Sequence, residues 1–279
     1  MNAKFAGLAS VALVFSACSK SPDSDSAPAP EPEAKTVAAS APDLCLDAGP
    51  QTPRDISSKV GLNTVSFEKA PAASELNLCN IHTHTNAEHK GPGYSTFVNN
   101  TDSGGYACND TASLSDAEKA PLDGAFKGAK PGDTIEVHWV HTSCDITPGE
   151  GLGSCLSDTC TDPLLRVEAQ TFLVVNDSSA LDFTDFAYQG NVIGGKHQAM
   201  ALPSGTGTPV EFLGSTTGPS YTQSKCSPMK VTWSVRPQCA KLDISSLHRW
   251  AESGNVFNET KSHGVRQLVT APELLSPIE

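Results

Sequence analysis

The punctuation of this chain limits its fold most. With 22 glycines and 20 prolines, turn-forming residues recur at intervals of roughly eight to fifteen positions, and sustained helical periodicity is scarce. Between the breaks lie short β-rich runs at Thr134–Val140, Leu165–Val175, Val210–Leu213 and Lys230–Val235, each bounded by turn residues such as Pro131-Gly132-Asp133. Two short helices are expected. Ser113–Lys127 opens on Ser115-Asp116-Ala117-Glu118, an N-cap pattern with acidic first-turn residues, and Pro121 limits it; Ser245–Ser253 is the other. The expected fold is mainly β, a mixed and predominantly antiparallel sheet with a few short helices.

The N-terminus speaks to compartment. Lys4 precedes a short apolar run from Phe5 to Ala17, which reads as a secretory signal too short to span a bilayer. The run ends Val14-Phe15-Ser16-Ala17-Cys18, which resembles a bacterial lipobox, so residues 1–17 are expected to be removed and Cys18 lipidated. Ser19, by resemblance to sorted lipoproteins, favours the outer membrane. The expected location is therefore that of an exported outer-membrane or periplasmic lipoprotein of a Gram-negative-type bacterium. Residues 18–44 hold almost no large apolar side chain and are expected to be an extended tether.

Eight cysteines remain after Cys18, an even count that suggests up to four disulfides in an exported chain without choosing among 105 pairings. No internal repeat or second tether follows, so residues 45–279 read as one domain. The net charge of −12 argues against nucleic-acid binding and against sensing of an anionic surface. Contact with a membrane is expected only through the N-terminal lipid.

Chemistry-bearing residues gather in two places. In Asn80-Ile81-His82-Thr83-His84-Thr85-Asn86-Ala87-Glu88-His89-Lys90-Gly91, a β conformation projects His82 and His84 from one face, where two imidazoles can share one metal ion. In Thr134-Ile135-Glu136-Val137-His138-Trp139-Val140-His141, Glu136, His138 and Val140 share a face, with Ile135, Val137 and Trp139 opposite. A carboxylate and an imidazole turned into a packed interior need each other, water or a metal. Glu136 is placed to hold His138 from behind and fix its tautomer. His141 has the other parity and reads as a hydrogen-bonded packing residue. A third stretch, Gly214-Ser215-Thr216-Thr217-Gly218-Pro219, followed by Val231-Thr232-Trp233, is by itself only a loop leading to a strand.

In this order the motifs resemble the carbonic anhydrases. The α class carries a similar series, and the two histidine phrases look most like the δ class, over roughly residues 75–235. The resemblance implies an α-carbonic-anhydrase-like fold for a domain at 45–279 and zinc held by His82, His84 and His138. It further implies Glu136 behind His138, Glu88 accepting the hydroxyl proton of Thr216, and Thr217 beside the substrate. The leucine expected between the serine and the threonines is missing, which leaves either threonine as the gatekeeper. The span from His84 to His138 exceeds that of α enzymes and holds the Cys108 loop.

The implied reaction is reversible hydration of CO2 to bicarbonate and a proton by zinc-bound hydroxide, with Val140 lining an apolar patch for CO2. His89, His197, His248 and His263 read as surface or structural residues. Two rival readings stand beside this one. Cupins also use H-x-H, a following glutamate and a distant histidine; such a protein would bind iron or manganese, take Glu88 as a direct ligand and act as an oxygenase or isomerase. The other rival is a non-catalytic metal-binding surface lipoprotein.

Overall fold

The structure, a computed structural model, describes residues 43–99 and 104–279. The expectations for residues 1–17, Cys18 and most of the tether lie outside the described residues. In chain order the strands are β1 (Asn77–Thr85), β2 (Thr96–Asn99), β3 (Gly104–Ala107), β4 (Thr134–Thr142), β5 (Leu165–Val175), β6 (Val192–Ile193), β7 (Lys196–His197), β8 (Val210–Ser215), β9 (Lys230–Val235) and β10 (Ala240–Asp243). One α-helix, α1 (Ile244–Glu252), follows, and short 3-10 turns fill the loops.

The expected mixed, mainly antiparallel sheet is present. Six strands form it in the order β1-β4-β5-β9-β8, with β10 also on β5, while β2-β3 and β6-β7 are separate two-stranded ribbons. The eleven-residue β5 is the hub. Its antiparallel neighbour β4 covers one side; on the other, parallel β9 pairs with Arg166–Ala169 and parallel β10 with Phe172–Val175. Every residue of β4 and β5 is buried, as expected of central strands.

The two sheet faces do different work. Ile81, Ile135, Val137, Trp139, Phe172 and Val174 pack against the buried stripe of α1, Ile244, Leu247 and Trp250. Asp243 caps α1 by accepting from the Ser245 backbone N–H at 3.2 Å. Val140, Val167, Ala169, Phe212 and Trp233 form the opposite core, under the candidate site.

Where a helix is expected over Ser113–Lys127, the chain makes a single turn. Ser115 and Glu118 do form a capping box, with Glu118 accepting from the Ser115 backbone and hydroxyl at 2.8 and 2.7 Å. The Lys119 N–H reaches the Ser115 carbonyl, but Pro121 offers no N–H to continue. The next segment is extended instead, sending Phe126 into the core and its N–H to His248 Nδ1 at 3.2 Å. The helix expected at Ser245–Ser253 is α1.

All eight cysteines of the folded domain pair: Cys45–Cys226, Cys79–Cys155, Cys108–Cys239 and Cys144–Cys160. Four disulfides point to an exported or otherwise oxidising environment. Among the described residues, no helix is long and apolar enough to cross a membrane.

Candidate metal centre

Strand register builds the site. Across the β1–β4 pair His82 stands opposite His138, and His84 opposite Glu136. Residues directly opposed in an antiparallel pair share a face, so the H-x-H of β1 and the E-x-H of β4 converge on one side of the sheet. The ring centroids of His82, His84 and His138 lie 4.9, 5.1 and 4.6 Å apart, pairwise. One nitrogen from each falls within 4.8 Å of the others.

Each imidazole has one edge turned to an oxygen and the other left over. His82 Nδ1 donates to Asn80 Oδ1 at 2.7 Å, and Asn80 donates onward to the Gly149 carbonyl at 3.0 Å. His84 Nδ1 faces Glu88 Oε2 at 3.4 Å. His138 Nε2 faces Glu136 Oε1 at 3.4 Å and Glu88 Oε1 at 3.6 Å. This leaves Nε2 of His82, Nε2 of His84 and Nδ1 of His138 as the three available donors. Three imidazoles, each with one nitrogen turned to an oxygen, fit a zinc ion, and at His82 the Asn80 hydrogen bond fixes the tautomer.

Electrostatics favours the neutral ligand form at two of the three. Burial, reinforced by the neighbouring His84, holds His82 well below the ordinary imidazole range, and burial also lowers His138. At His84 burial is outweighed by the Glu88 carboxylate, which raises its pKa. Burial alone would push both carboxylates up. His84 nevertheless draws Glu88 down, and His89 with His138 draws Glu136 well below the carboxylate range.

Glu136 is engaged chiefly elsewhere than the E-x-H spacing implies. Its Oε1 accepts from His89 Nδ1 at 2.7 Å, and its Oε2 from the backbone N–H groups of Glu88 and His89 at 2.6 and 3.3 Å. His89, fully buried against Trp233, is therefore a structural partner of Glu136, not a surface group.

The expected bond between Glu88 and Thr216 is not formed. The Thr216 hydroxyl pairs with that of Ser227, while both oxygens of the buried Glu88 lack a hydrogen bond among the described residues. Thr216, Thr217 and Val140 do share a cavity of about 480 Å³ with the three histidines. Leu165, Val167, Val231 and Trp233 supply an apolar wall to it. His141 stays apart, buried, with Nδ1 donating to the Trp139 carbonyl at 3.0 Å.

Asn80, Glu259 and Ser227 escaped the sequence reading, and His263, read as surface or structural, lines the cavity. Asn80 had a signal, since it lies two residues before His82 on the same strand. Glu259 and His263 sit at the cavity wall, joined through Oε2 and Nε2 at 2.9 Å, and only tertiary folding brings them there. His197 bonds Tyr188 outside this cavity, and His248 is a buried helix residue.

A mainly β domain whose paired strands gather three imidazoles into one cavity has the form of a histidine-ligated metalloenzyme. A family model described as delta carbonic anhydrase matches residues 73–246. The chain belongs to the delta carbonic anhydrase family and is a carbonic anhydrase. No curated protein matches the sequence. Among solved structures it is similar to a hyperthermostable carbonic anhydrase identified from an active hydrothermal vent chimney, at 18% identity and TM-score 0.28 over 82% of this chain and 86% of that one. It is also similar to the Photobacterium profundum alpha-carbonic anhydrase, at 19% identity and TM-score 0.25 over 77% and 85%. The Thermovibrio ammonificans alpha-carbonic anhydrase complexed with sulfanilamide matches at 18% and 0.24 over 78% and 87%. Superpositions this loose carry no weight for the site. Family membership sets aside the cupin and the non-catalytic readings, and Glu88 lies behind two of the imidazoles instead of beside the three donors.

Proposed function

We propose that this chain is a zinc carbonic anhydrase, interconverting CO2 and bicarbonate, with His82, His84 and His138 as the metal ligands. One observation carries the reading: three imidazoles from two paired strands bring one nitrogen each within 4.8 Å of the others beside a single cavity. When bound there, zinc supplies Lewis acidity and makes water a competent nucleophile at neutral pH.

The protein's own groups divide the remaining tasks. Asn80 orients His82, and Glu136 with His89 forms a buried pair that orients His138. Val140 and Trp233 belong to the wall that would receive the apolar CO2. Both threonines line the cavity, and we assign the half-buried Thr217, the less enclosed of the two, to orient the reacting oxygen. We further place the protein as a lipoprotein anchored through Cys18 in the outer membrane or periplasm of a Gram-negative-type bacterium; the disulfides support an exported setting.

The test is stopped-flow CO2 hydration on the disulfide-bonded chain, with metal quantified on the same sample. Zinc near one per chain is expected, and His138→Ala should lose zinc and activity together. Iron or manganese with no hydration would sink the reading. Thr217→Ala should lower kcat/KM about a hundredfold with zinc retained, a positioning effect. A larger loss in Thr216→Ala would exchange the two roles.

A further inference from the structure

We infer that Gln51 and Arg266 are positioning residues, holding from behind the loop that carries Thr216 and Thr217 into the cavity. The inference rests on the proposed zinc site and deepens it. That loop, residues 216–229, joins β8 to β9 and brings Thr216, Thr217, Gly218, Pro219 and Met229 to the cavity wall. A group carried on a loop keeps its place only where other side chains lock it there.

Gln51 and Arg266, each 1% exposed, lie far apart in sequence and meet behind this loop. Gln51 Oε1 accepts from the Ser227 backbone N–H at 2.8 Å, and Gln51 Nε2 donates to the Ser227 carbonyl at 3.1 Å. One side-chain amide thus pairs with both backbone groups of Ser227, as a neighbouring strand would. The same oxygen accepts from the Ser215 hydroxyl at 3.3 Å, so the two ends of the loop converge on Gln51. Arg266 Nη1 donates to Gln51 Oε1 at 3.1 Å and to the Thr52 carbonyl at 2.8 Å, and its Nη2 to the Thr222 carbonyl at 2.7 Å.

Thr216 is where this network meets the cavity. Its hydroxyl pairs with that of Ser227, and its N–H donates to the Met229 carbonyl at 3.0 Å. A displaced Ser227 would carry Thr216 with it, and Thr217 next in the chain. One O–H of the hydroxyl pair stays free for a third group, so the network sets the direction of that proton as well.

Attachment alone does not account for the arrangement. The Cys45–Cys226 bridge already fastens the loop to the domain beside Ser227. The hydrogen-bond partners of Arg266 are carbonyl and amide oxygens, not a carboxylate, and burial lowers its pKa. A buried charge of this kind is a costly way to fill space. What the guanidinium adds is geometry, since its planar fork fixes Gln51 with one nitrogen and the loop at Thr222 with the other.

The experiment uses the full disulfide-bonded chain with Gln51→Met and Arg266→Met, which keep bulk and remove the hydrogen bonds. Zinc content, denaturant midpoint, kcat/KM for CO2 hydration and the 13C-methyl NMR signals of Thr216 and Thr217 are measured on each. The paired-serine variant of Cys144 and Cys160 is the reference for lost stability. Both methionine variants should keep zinc near one per chain, shift or broaden the two threonine signals, and lower kcat/KM about tenfold. The reference should keep both the signals and kcat/KM.

If the threonine signals or kcat/KM stay at their natural values, or the reference changes them equally, the pair is a structural staple and the inference is wrong. Zinc lost together with activity would also overturn it, by placing the effect on the ligands. Should the methionine variants not fold, Gln51→Glu decides, because it keeps the accepting oxygen and loses the donor to Ser227. Shifted threonine signals with zinc retained then support the inference, and unchanged signals refute it. A natural chain with neither zinc nor CO2 hydration overturns the proposed function and the positioning role together. One that has both, but whose variants fail these tests, overturns the positioning role alone.

Discussion

His138 and His141 share β4, and burial disfavours the charged form of both. His138 faces the cavity, where a neutral ring is a ligand. His141 points the other way, and burial drives its pKa down from 6.5 to about 4. A base with a depressed folded-state pKa is protonated first in the unfolded chain. As pH falls below 6.5, the unfolded state takes up a proton that the folded state refuses, and stability is lost until the folded pKa near 4 is reached. The whole span is worth roughly 3 kcal/mol. Urea midpoints at pH 7 and pH 4.5 should therefore differ less in His141→Asn than in the natural chain; equal differences would remove His141 as a source of the acid sensitivity. Strand parity made this residue legible from sequence, because an odd offset from His138 turns it to the other face. The Thr216 environment was not legible. Its partner Ser227 lies eleven residues on, across a loop whose path no local pattern dictates.

At the scale of elements, β1 carries two of the three proposed ligands yet lies at the edge of the sheet. Its outer side is secured by the segment around Glu259 and His263. The Thr85 N–H donates to the His263 carbonyl at 2.7 Å, and the His263 N–H to the Thr83 carbonyl at 2.9 Å. Glu259 Oε1 accepts from both the backbone N–H and the hydroxyl of Thr83, at 2.7 and 2.8 Å, between the two histidines in sequence. Glu259→Ala would leave buried donors at Thr83 unpaired, at a cost of about 1–3 kcal/mol. Amide exchange at Thr83 and Thr85 should quicken in that variant, while amides in β5 keep their protection; unchanged exchange at Thr83 would show that the edge is held by other means. The long strands were legible because their residue preferences and bounding turns agree, and the edge clamp was not, since it joins residues about 180 positions apart. The turn at Ser115–Ala120 shows the reverse failure: its local signals were correct, and Pro121 let them run for one turn only.

At the scale of the whole molecule, the covalent frame reaches the site through one bridge in particular. The even cysteine count was plain in the sequence, but the partners were not, because three of the four pairs span 76, 131 and 181 residues and are joined by the tertiary fold, not by local pattern. Cys144–Cys160 spans 16 residues, and chain entropy assigns it about 3 kcal/mol; Cys45–Cys226, spanning 181, is assigned about 5 kcal/mol. Cys79–Cys155 combines a long loop with a special location. Cys79 lies on β1 ahead of His82, and Cys155 lines the cavity. Replacing this pair with serines should therefore lower the denaturant midpoint and also hasten zinc loss, whereas the Cys144–Cys160 pair should cost stability alone. Paired-serine variants, each followed by denaturant titration and zinc release to a chelator, separate the two effects. Equal zinc release from both would mean that the Cys79–Cys155 bridge stabilises the domain without holding β1 at the metal centre.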